Sequence, residues 1–295
     1  MGELLSVAQK ALLAGALPVK RLFGDELKRL GARYKRKDKS LQTAIDRDAE
    51  KAILGVIRNS LFANDCIQAE ESGRSAGKTS RVWYIDPFDG TANIPVRIPE
   101  CTMGLSIREN GNMAVGIVLH PFEMRMIYAE KGKGAWKVPL RLENEKMIIY
   151  GDPVLLEPRR APYLPRLRHM WVDGHWTGNN AGRKSAWLSQ AHKFALNVLE
   201  CGSNIDKPAK IAEGRGHFMF TDAVGGFHDL GPGIVILGEV GGKYTDMFGN
   251  EPSPSPLTQL VVGCVDTRFH GQLLELTQKH YGPKSKFGRY KGFMA

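Results

Sequence analysis

The chain has 295 residues, a formal charge of +10 at pH 7 and 42% hydrophobic residues, which excludes a chain dominated by disorder. The four cysteines, Cys66, Cys101, Cys201 and Cys264, form no Cys-x-x-Cys pair. This spacing argues against a zinc cluster or a dense disulfide framework and favours a reduced, cytoplasmic protein. The positive charge favours phosphorylated or polyanionic partners, although a solvated basic surface without a partner would carry the same charge.

The first elements in the chain are predicted to be helices. Residues 3–31 have a helical pattern with a break expected near Pro18, and no apolar run reaches the roughly 20 residues that would span a bilayer. The first residues also lack the pattern of a secretory signal. A second helix is predicted over 43–62, with Thr43 as its N-cap and Asp46 as the third residue of a capping box.

Strands dominate the next segment. Residues 81–85 predict a buried strand that runs into Asp86-Pro87, and 102–107, 113–119 and 124–129 predict a β-meander. Residues 137–195 show no clean periodicity. Helices are predicted at 204–214 and 229–240, and strands at 243–246 and 259–264. The last sixteen residues are rich in lysine, arginine, glycine and aromatic residues, which suits either a mobile tail or a nucleic-acid-binding one.

Chemistry is concentrated in Asp86-Pro87-Phe88-Asp89-Gly90-Thr91. Two carboxylates lie three residues apart in what is predicted to be a turn after a strand, and Mg²⁺ prefers such oxygen ligands. Gly90 would let backbone amides approach a phosphate, and Thr91 adds a hydroxyl. A solvent-facing turn would use the same residue types, so the segment alone does not decide between the two.

Other acidic residues accompany this segment. Glu70-Glu71-Ser72 lies just upstream, Asp46 lies in the first turn of the second helix, and Asp229 opens the later helix. Each has an ordinary structural explanation: Glu70 and Glu71 as solvated loop acids, Asp46 as a charge that favours the helix dipole, and Asp229 as a cap. Their joint presence favours a site built from several carboxylates.

Taken in chain order, these segments resemble the inositol monophosphatase family. Asp86 to Asn93 is similar to its Asp-Pro-Ile-Asp-Gly-Thr-x-Asn pattern, with Phe88 in place of Ile, and residues 70–72 match Glu-Glu-Ser. Thr43 and Asp46 match Thr-x-x-Asp. The late pattern Trp-Asp-x-Ala-Ala-Gly is degenerate here, since His228 replaces Trp and Pro232 stands where Ala is usual. The resemblance covers about residues 35–135 and 200–265.

The resemblance implies a role for each matched position. It implies Mg²⁺, as two or three ions, and a water that attacks the phosphate directly. It assigns metal ligands (Glu70, Asp86, the Phe88 carbonyl, Asp89, Asp229), water-handling residues (Asp46, Thr91, Glu71) and substrate-binding residues (Lys35, Gly90, Thr91, Gly202, Ser203, Asp222). The family's substrate-contacting Glu falls near Thr221 or Asp222, where the spacing differs from the family pattern by one residue. Asp222 is assigned this role.

The family's fold is the remaining expectation. It is an α/β (α+β) fold, a layered αβαβα sandwich, here expected as an N-terminal half (1–135) with most metal ligands, a C-terminal half (136–275) with substrate-side residues, and a basic tail (276–295). A homodimer is expected from the same resemblance. Inositol monophosphate is the default substrate; fructose 1,6-bisphosphate, histidinol phosphate and a nucleotide 3′-phosphate stay open, as does a non-catalytic regulatory or RNA-binding member.

Overall fold

The computed structural model describes residues 2–26, 28–35, 41–157, 160–172, 181–222, 225–253 and 260–286. The helices of the described chain are α1 (Glu3–Leu22), α2 (Ala44–Arg58), α3 (Ala181–Ala191), α4 (Asp206–Ala212), α5 (Phe227–Glu239) and α6 (His270–Tyr281). Its strands are β1 (Arg33–Tyr34), β2 (Leu41–Gln42), β3 (Cys66–Ala69), β4 (Gly73–Ser75), β5 (Val82–Asp89), β6 (Thr102–Glu109), β7 (Asn112–His120), β8 (Arg125–Glu130), β9 (Ala135–Glu143), β10 (Lys146–Ile149), β11 (Val154–Leu155), β12 (His169–Val172), β13 (Asn197–Glu200), β14 (Phe218–Thr221), β15 (Lys243–Asp246) and β16 (Val261–Cys264).

Two large sheets and three helical layers make up the fold of the described chain, and β1 and β2 pair as a separate two-stranded sheet. A nine-stranded sheet has the order β10-β9-β8-β7-β6-β5-β3-β4, with β11 also paired to β9, and a five-stranded sheet has the order β13-β12-β14-β16-β15. Helices α1 and α2 cover one face of the large sheet, α4 and α5 lie between the sheets, and α3 and α6 pack outside the small sheet. The α+β layered architecture is therefore confirmed.

The predicted meander is present as β6, β7 and β8, which pair antiparallel in sequence order. Its first turn, Asn110-Gly111, has positive φ at both residues, 49° and 84°, as a tight hairpin requires. The large sheet continues through β9 to β11 and ends at Leu155, beyond the expected division at residue 135. Within 137–195, residues 158–159 and 173–180 lie outside the described part of the chain.

The expected break at Pro18 was wrong: α1 runs through Pro18 and ends at Leu22, well before residue 31. Proline removes one backbone hydrogen bond from a helix. Leu12, Ala16 and Val19 are all fully buried on both sides of it, so the packing of α1 outweighs this loss.

Helix α2 has the predicted capping box, with Thr43 and Asp46 exchanging hydrogen bonds, but it ends at Arg58 rather than at residue 62. Helix α5 begins at Phe227, so Asp229 lies within its first turn. The tail was expected to begin at residue 276, but α6 continues to Tyr281. Residues 287–295 lie outside the described part of the chain. No helix in the described ranges is long and apolar enough to cross a membrane.

Candidate active site

The two central carboxylates lie on a bulged strand rather than in a turn, which corrects the sequence prediction. Strand β5 continues through Asp86 to Asp89; Asp86 pairs with Gly104 and Asp89 pairs with Thr102, so four residues of β5 span three of β6. In a regular strand, residues three apart point to opposite faces. The extra residue of the bulge cancels this alternation and allows both carboxylates to face one site.

Gly90 closes the strand in a conformation that other residues avoid, with a φ of 101°. A Cβ atom there would lie 2.8 Å from the Glu100 carbonyl oxygen. A short 3₁₀ helix, Thr91–Val96, follows. Within it, the Asn93 Nδ2 donates to the carbonyl oxygens of Glu100 at 2.6 Å and Cys201 at 3.3 Å. Sequence reasoning gave Asn93 no role, although it belongs to the matched motif.

Thr91 and Asp46 meet as the resemblance implies. The Thr91 hydroxyl lies 3.2 Å from Asp46 Oδ1 and 3.2 Å from the Phe88 carbonyl oxygen. Asp46 Oδ2 accepts from the backbone N–H and the hydroxyl of Thr43, both at 2.7 Å. Burial raises the pKa of Asp46, against the lowering effect of the Thr43 hydrogen bonds. The capping box of α2 therefore also orients the carboxylate that faces Thr91.

Glu70 and Glu71 follow β3, which runs parallel to β5, so both strands deliver acids to the same edge of the sheet. Lys35 Nζ lies 2.7 Å from a carboxylate oxygen of each glutamate. Burial lowers the pKa of Lys35, but the two carboxylates outweigh this effect and raise it overall. Gln42 also donates to Glu71. Burial raises the pKa of Glu71, which the Lys35 ammonium opposes.

Glu50 was missed by the sequence reasoning. Its carboxylate accepts the backbone N–H groups of Glu71 and Ser72, each at 2.9 Å, and its side chain is buried. It lies one helical turn after Asp46 on the inner face of α2. An acid at that spacing on a buried face is the signal that could have identified it.

The carboxylates of Glu70, Asp86, Asp89 and Asp229 act on one another electrostatically. Burial raises the pKa of Asp86 well above its usual value, and the charges of the other three raise it further. Burial and the charge of Asp229 raise the pKa of Asp89 to about 7. Burial also raises the pKa of Asp229. Like charges held together in a low-dielectric site favour either bound protons or a bound cation.

The donor set suits a hard cation such as Mg²⁺, since it offers carboxylates and the Phe88 carbonyl. In the described residues, however, no three His, Cys, Asp or Glu side chains already have the arrangement of a metal site. Protein groups hold the carboxylates instead: Glu70 pairs with Lys35, and Asp229 accepts the backbone N–H of Gly225. The chemistry of the residues fits a metal, while Lys35 and the Gly225 N–H each occupy one oxygen of the two carboxylates that they contact.

The second half of the chain contributes supports for Asp89. Asp89 Oδ2 accepts from the Ser203 hydroxyl at 2.7 Å and from the Ile205 N–H at 2.8 Å, and the Ser203 and Thr102 hydroxyls lie 2.8 Å apart. Gly202 has a φ of 70°, and a Cβ atom there would lie 2.8 Å from the Asn93 side chain. Gly202 and Ser203 thus lie beside Asn93 and Asp89, and Ser203 is fully buried and holds a carboxylate; substrate binding by the two residues stays a prediction.

Lys207 was also missed. It is fully buried, its Nζ donates to the Ser203 carbonyl at 3.1 Å and to Asn204 Oδ1 at 2.8 Å, and its charge lowers the pKa of Asp89. Nothing in its sequence context distinguishes it from a surface lysine of α4. Only the folded contact between the two halves shows its proximity to Asp89.

Asp222 lies elsewhere, which differs from its predicted substrate-binding role. Its carboxylate is fully buried, lies 2.8 Å from Lys184 Nζ of α3 and accepts from the Tyr281 hydroxyl of α6 at 3.3 Å. Both partners belong to the layer outside the small sheet. The offset of one residue in the sequence match is enough to place this side chain on another face, because successive residues along an extended strand point in opposite directions.

With this geometry established, the comparisons with known proteins decide the family. A model described as the inositol monophosphatase family matches residues 1–281. The chain belongs to the inositol monophosphatase family. This membership supports phosphatase chemistry, and the family is generally metal-dependent.

Two curated relatives of the family differ in what their names state. The fructose-1,6-bisphosphatase/inositol-1-monophosphatase of Thermotoga maritima is 29% identical over 213 residues, which cover 72% of this chain and 74% of the relative. The Nus factor SuhB of Pasteurella multocida is 39% identical over 210 residues, which cover 70% of this chain and 72% of the relative. Family membership alone therefore leaves the activity to be argued from the site.

Solved structures of the family share the fold. The extragenic suppressor protein suhB from Bartonella henselae superposes with a TM-score of 0.79 at 20% identity, covering 94% of this chain and 99% of that chain. An inositol monophosphatase of Thermotoga maritima superposes with a TM-score of 0.75 at 24% identity, covering 95% of this chain and 98% of that chain. At these identities the likeness establishes the layered architecture.

Proposed function

We propose that the protein is a Mg²⁺-dependent phosphomonoesterase that hydrolyses a small phosphate monoester. The observation that carries this proposal is the hydrogen bond of 3.2 Å between the Thr91 hydroxyl and Asp46, placed next to four mutually repelling carboxylates. A hydroxyl backed by a buried carboxylate is an arrangement that can orient water and take its proton. An acidic cluster is what a site for hard cations requires.

The metal-holding residues in this proposal are the side chains of Glu70, Asp86, Asp89 and Asp229 and the Phe88 carbonyl. When bound, two or three Mg²⁺ ions would supply positive charge to the phosphoryl oxygens and the leaving oxygen. Ser203 and Ile205 fix one oxygen of Asp89, which leaves its other oxygen for ligation. The bulge of β5 gives Asp86 and Asp89 a common direction.

The remaining roles concern the water and the phosphate. Thr91 orients the attacking water and relays its proton to Asp46, while the water oxygen bonds to phosphorus and the ester oxygen departs as the alcohol after protonation. Glu71 positions a second water that protonates this leaving oxygen. The Gly90 and Thr91 amides hold the phosphate, and Lys35 faces it. No covalent phosphoenzyme forms.

The substrate class we favour is an inositol monophosphate or a similar polyol phosphate. The residues that would contact the alcohol depart from the family pattern: His228 replaces Trp, and Asp222 points into the outer layer. Fructose 1,6-bisphosphate, histidinol phosphate and a nucleotide 3′-phosphate are therefore alternatives that the assay must include.

The test is phosphate release from this substrate panel with and without Mg²⁺. We expect Mg²⁺-dependent turnover of at least one substrate and its loss in Asp86→Asn, with the variant's fold verified by circular dichroism. Asp48→Asn is the control, because Asp48 is an exposed acid on α2 outside the cluster. Absence of release from every substrate by the folded wild-type protein would refute the enzyme assignment.

A second candidate is a regulatory family member that binds nucleic acid. The charge of +10 and the relatives named Nus factor SuhB support it. Salt-dependent RNA binding by a protein that releases no phosphate would favour this candidate. Turnover that RNA does not affect would favour the phosphatase.

A further inference from the structure

A cavity of about 550 Å³ lies between α1 and the edge strand β10. Four strands, β6 to β9, separate β10 from β5 in the sheet, so this cavity is distinct from the acidic cluster. Its apolar wall consists of Leu13, Ala14, Leu17, Met147, Ile148 and Ile149. The volume falls within the range of roughly 300–1,000 Å³ that is usual for small-molecule sites.

Gln9 gives this apolar cavity a polar group. The side chain lines the wall and is only 2% exposed, yet among the described residues its Nε2 has no hydrogen-bond acceptor. Buried amide donors are nearly always paired, because leaving one without an acceptor is costly. A ligand with an acceptor oxygen would satisfy the donor once the Gln9 amide turns toward the cavity, since the Nε2 atom itself is covered in the unliganded chain.

Two lysines line the same cavity. Lys10 and Lys146 are both exposed, and neither forms an ion pair with another described residue. Lys10, Ala14 and Leu17 follow one another at helical spacing, so the cation and the apolar wall share one face of α1. No acidic side chain of the described chain lines the cavity. The charge of the site is therefore positive and uncompensated.

We propose that this cavity binds a small amphipathic carboxylate. Its apolar chain would lie between α1 and β10, and its carboxylate would accept from Gln9 Nε2 while facing the ammonium groups of Lys10 and Lys146. An apolar body with an anionic head is the ligand chemistry that matches an apolar wall, an unpaired donor and two uncompensated cations together.

The probe is decanoate, titrated into the full chain and followed by calorimetry and by NMR signals of α1 and β10. We expect saturable binding, and at least a tenfold weaker affinity for decyltrimethylammonium, which has the same chain and the opposite charge. Ala14→Trp fills the cavity and should abolish binding. Gln9→Leu removes the donor at similar volume and should weaken binding several-fold.

Charge reversal supplies a test at exposed positions, where folding is not at risk. Lys10→Glu with Lys146→Glu should weaken decanoate at least tenfold. Lys51→Glu with Lys78→Glu makes the same change in net charge at exposed lysines outside the cavity and should leave the affinity unchanged. Phosphate release plays no part in these readouts, so their outcome is independent of the proposed phosphatase activity.

Four kinds of result would overturn the proposal. One is the absence of saturable decanoate binding. Another is binding that persists in the folded Ala14→Trp variant or in the Lys10/Lys146 reversal, which would place the site elsewhere. The third is equal affinity for decyltrimethylammonium. The fourth is a wild-type dimer in sedimentation that Ala14→Trp dissociates, which would make the cavity an apolar contact surface between two copies of the chain.

Discussion

The Ser203 hydroxyl donates to Asp89 Oδ2 at 2.7 Å although 114 residues separate the two in the chain. Together with the Ile205 N–H, it favours the ionised form of Asp89 and opposes the rise in pKa that burial and Asp229 cause. Ser203 is therefore a positioning residue for a proposed metal ligand.

The first prediction concerns this hydrogen bond. Ser203→Ala should raise the pKa of Asp89 further and weaken the apparent Mg²⁺ affinity by about tenfold, because residues that orient ligands are typically worth 10- to 100-fold. The measurement is phosphate release against Mg²⁺ concentration, with direct Mg²⁺ titration by calorimetry. Ser80→Ala, which removes an exposed hydroxyl bonded to Asn110, is the control. Equal Mg²⁺ affinities in Ser203→Ala and wild type would contradict the role.

The second prediction separates the Thr91 hydroxyl from its packing. Thr91→Val should lower kcat by about 10²- to 10⁴-fold with little change in KM, because the side chain keeps its shape and loses the group that handles the proton. Thr91→Ser keeps the hydroxyl and should retain most of the activity. Comparable kcat values for the Val and Ser variants would remove Thr91 from the mechanism.

The third prediction concerns pH and stability without divalent cations. The pKa of Asp89 is raised to about 7 in the folded chain, so between about pH 4 and 7 the native state binds a proton that the unfolded state releases. The free energy of unfolding contributed by this group therefore falls as pH rises through this window, with a slope of at most about 1.4 kcal/mol per pH unit.

Urea unfolding in the presence of a chelator measures this effect. The stability of Asp89→Asn relative to wild type should increase from pH 5 to pH 8, and this difference cancels the contributions of histidines common to both proteins. Mg²⁺ should stabilise wild type most at pH 8, because it binds the ionised native state. A pH-independent difference between the two proteins would show that Asp89 ionises normally.

The fourth prediction compares two glycines. Gly90 and Gly111 both have positive φ, 101° and 84°, but only at Gly90 would a Cβ atom meet backbone, 2.8 Å from the Glu100 oxygen. Gly111→Ala should cost about 1–2 kcal/mol of unfolding free energy, from conformation alone. Gly90→Ala should cost more and also abolish activity by displacing Thr91. Thermal unfolding measures the two losses of stability, and phosphate release measures the activity. Equal losses of unfolding free energy in Gly90→Ala and Gly111→Ala would contradict the close approach at Gly90.

Local signals predicted much of the fold and the site. The capping box of Thr43 and Asp46 and the hairpin at Asn110-Gly111 depend on neighbours in the chain, and the structure places them as local chemistry requires. The existence and chain order of these local features could be predicted because helix caps and tight turns need particular residue types.

Long-range contacts were beyond the same reasoning. The continuity of α1 through Pro18 depends on burial against α2, which overrides the local preference of proline. The bulge between Asp86 and Asp89 depends on the register with β6. The pairing of Asp222 with Lys184 depends on how α3 packs outside the small sheet. None of these contacts has a signature within a single window of sequence.

The link from Asn93 to the Cys201 carbonyl and from Asp89 to Ser203 joins the end of a strand in one sheet to the loop that leads into α4. The Asp89 carboxylate thus gains these hydrogen bonds only when the later part of the chain has docked. We therefore expect Mg²⁺ affinity to depend on this docking, and a refolding experiment followed by cation binding would time the docking separately from the formation of the large sheet.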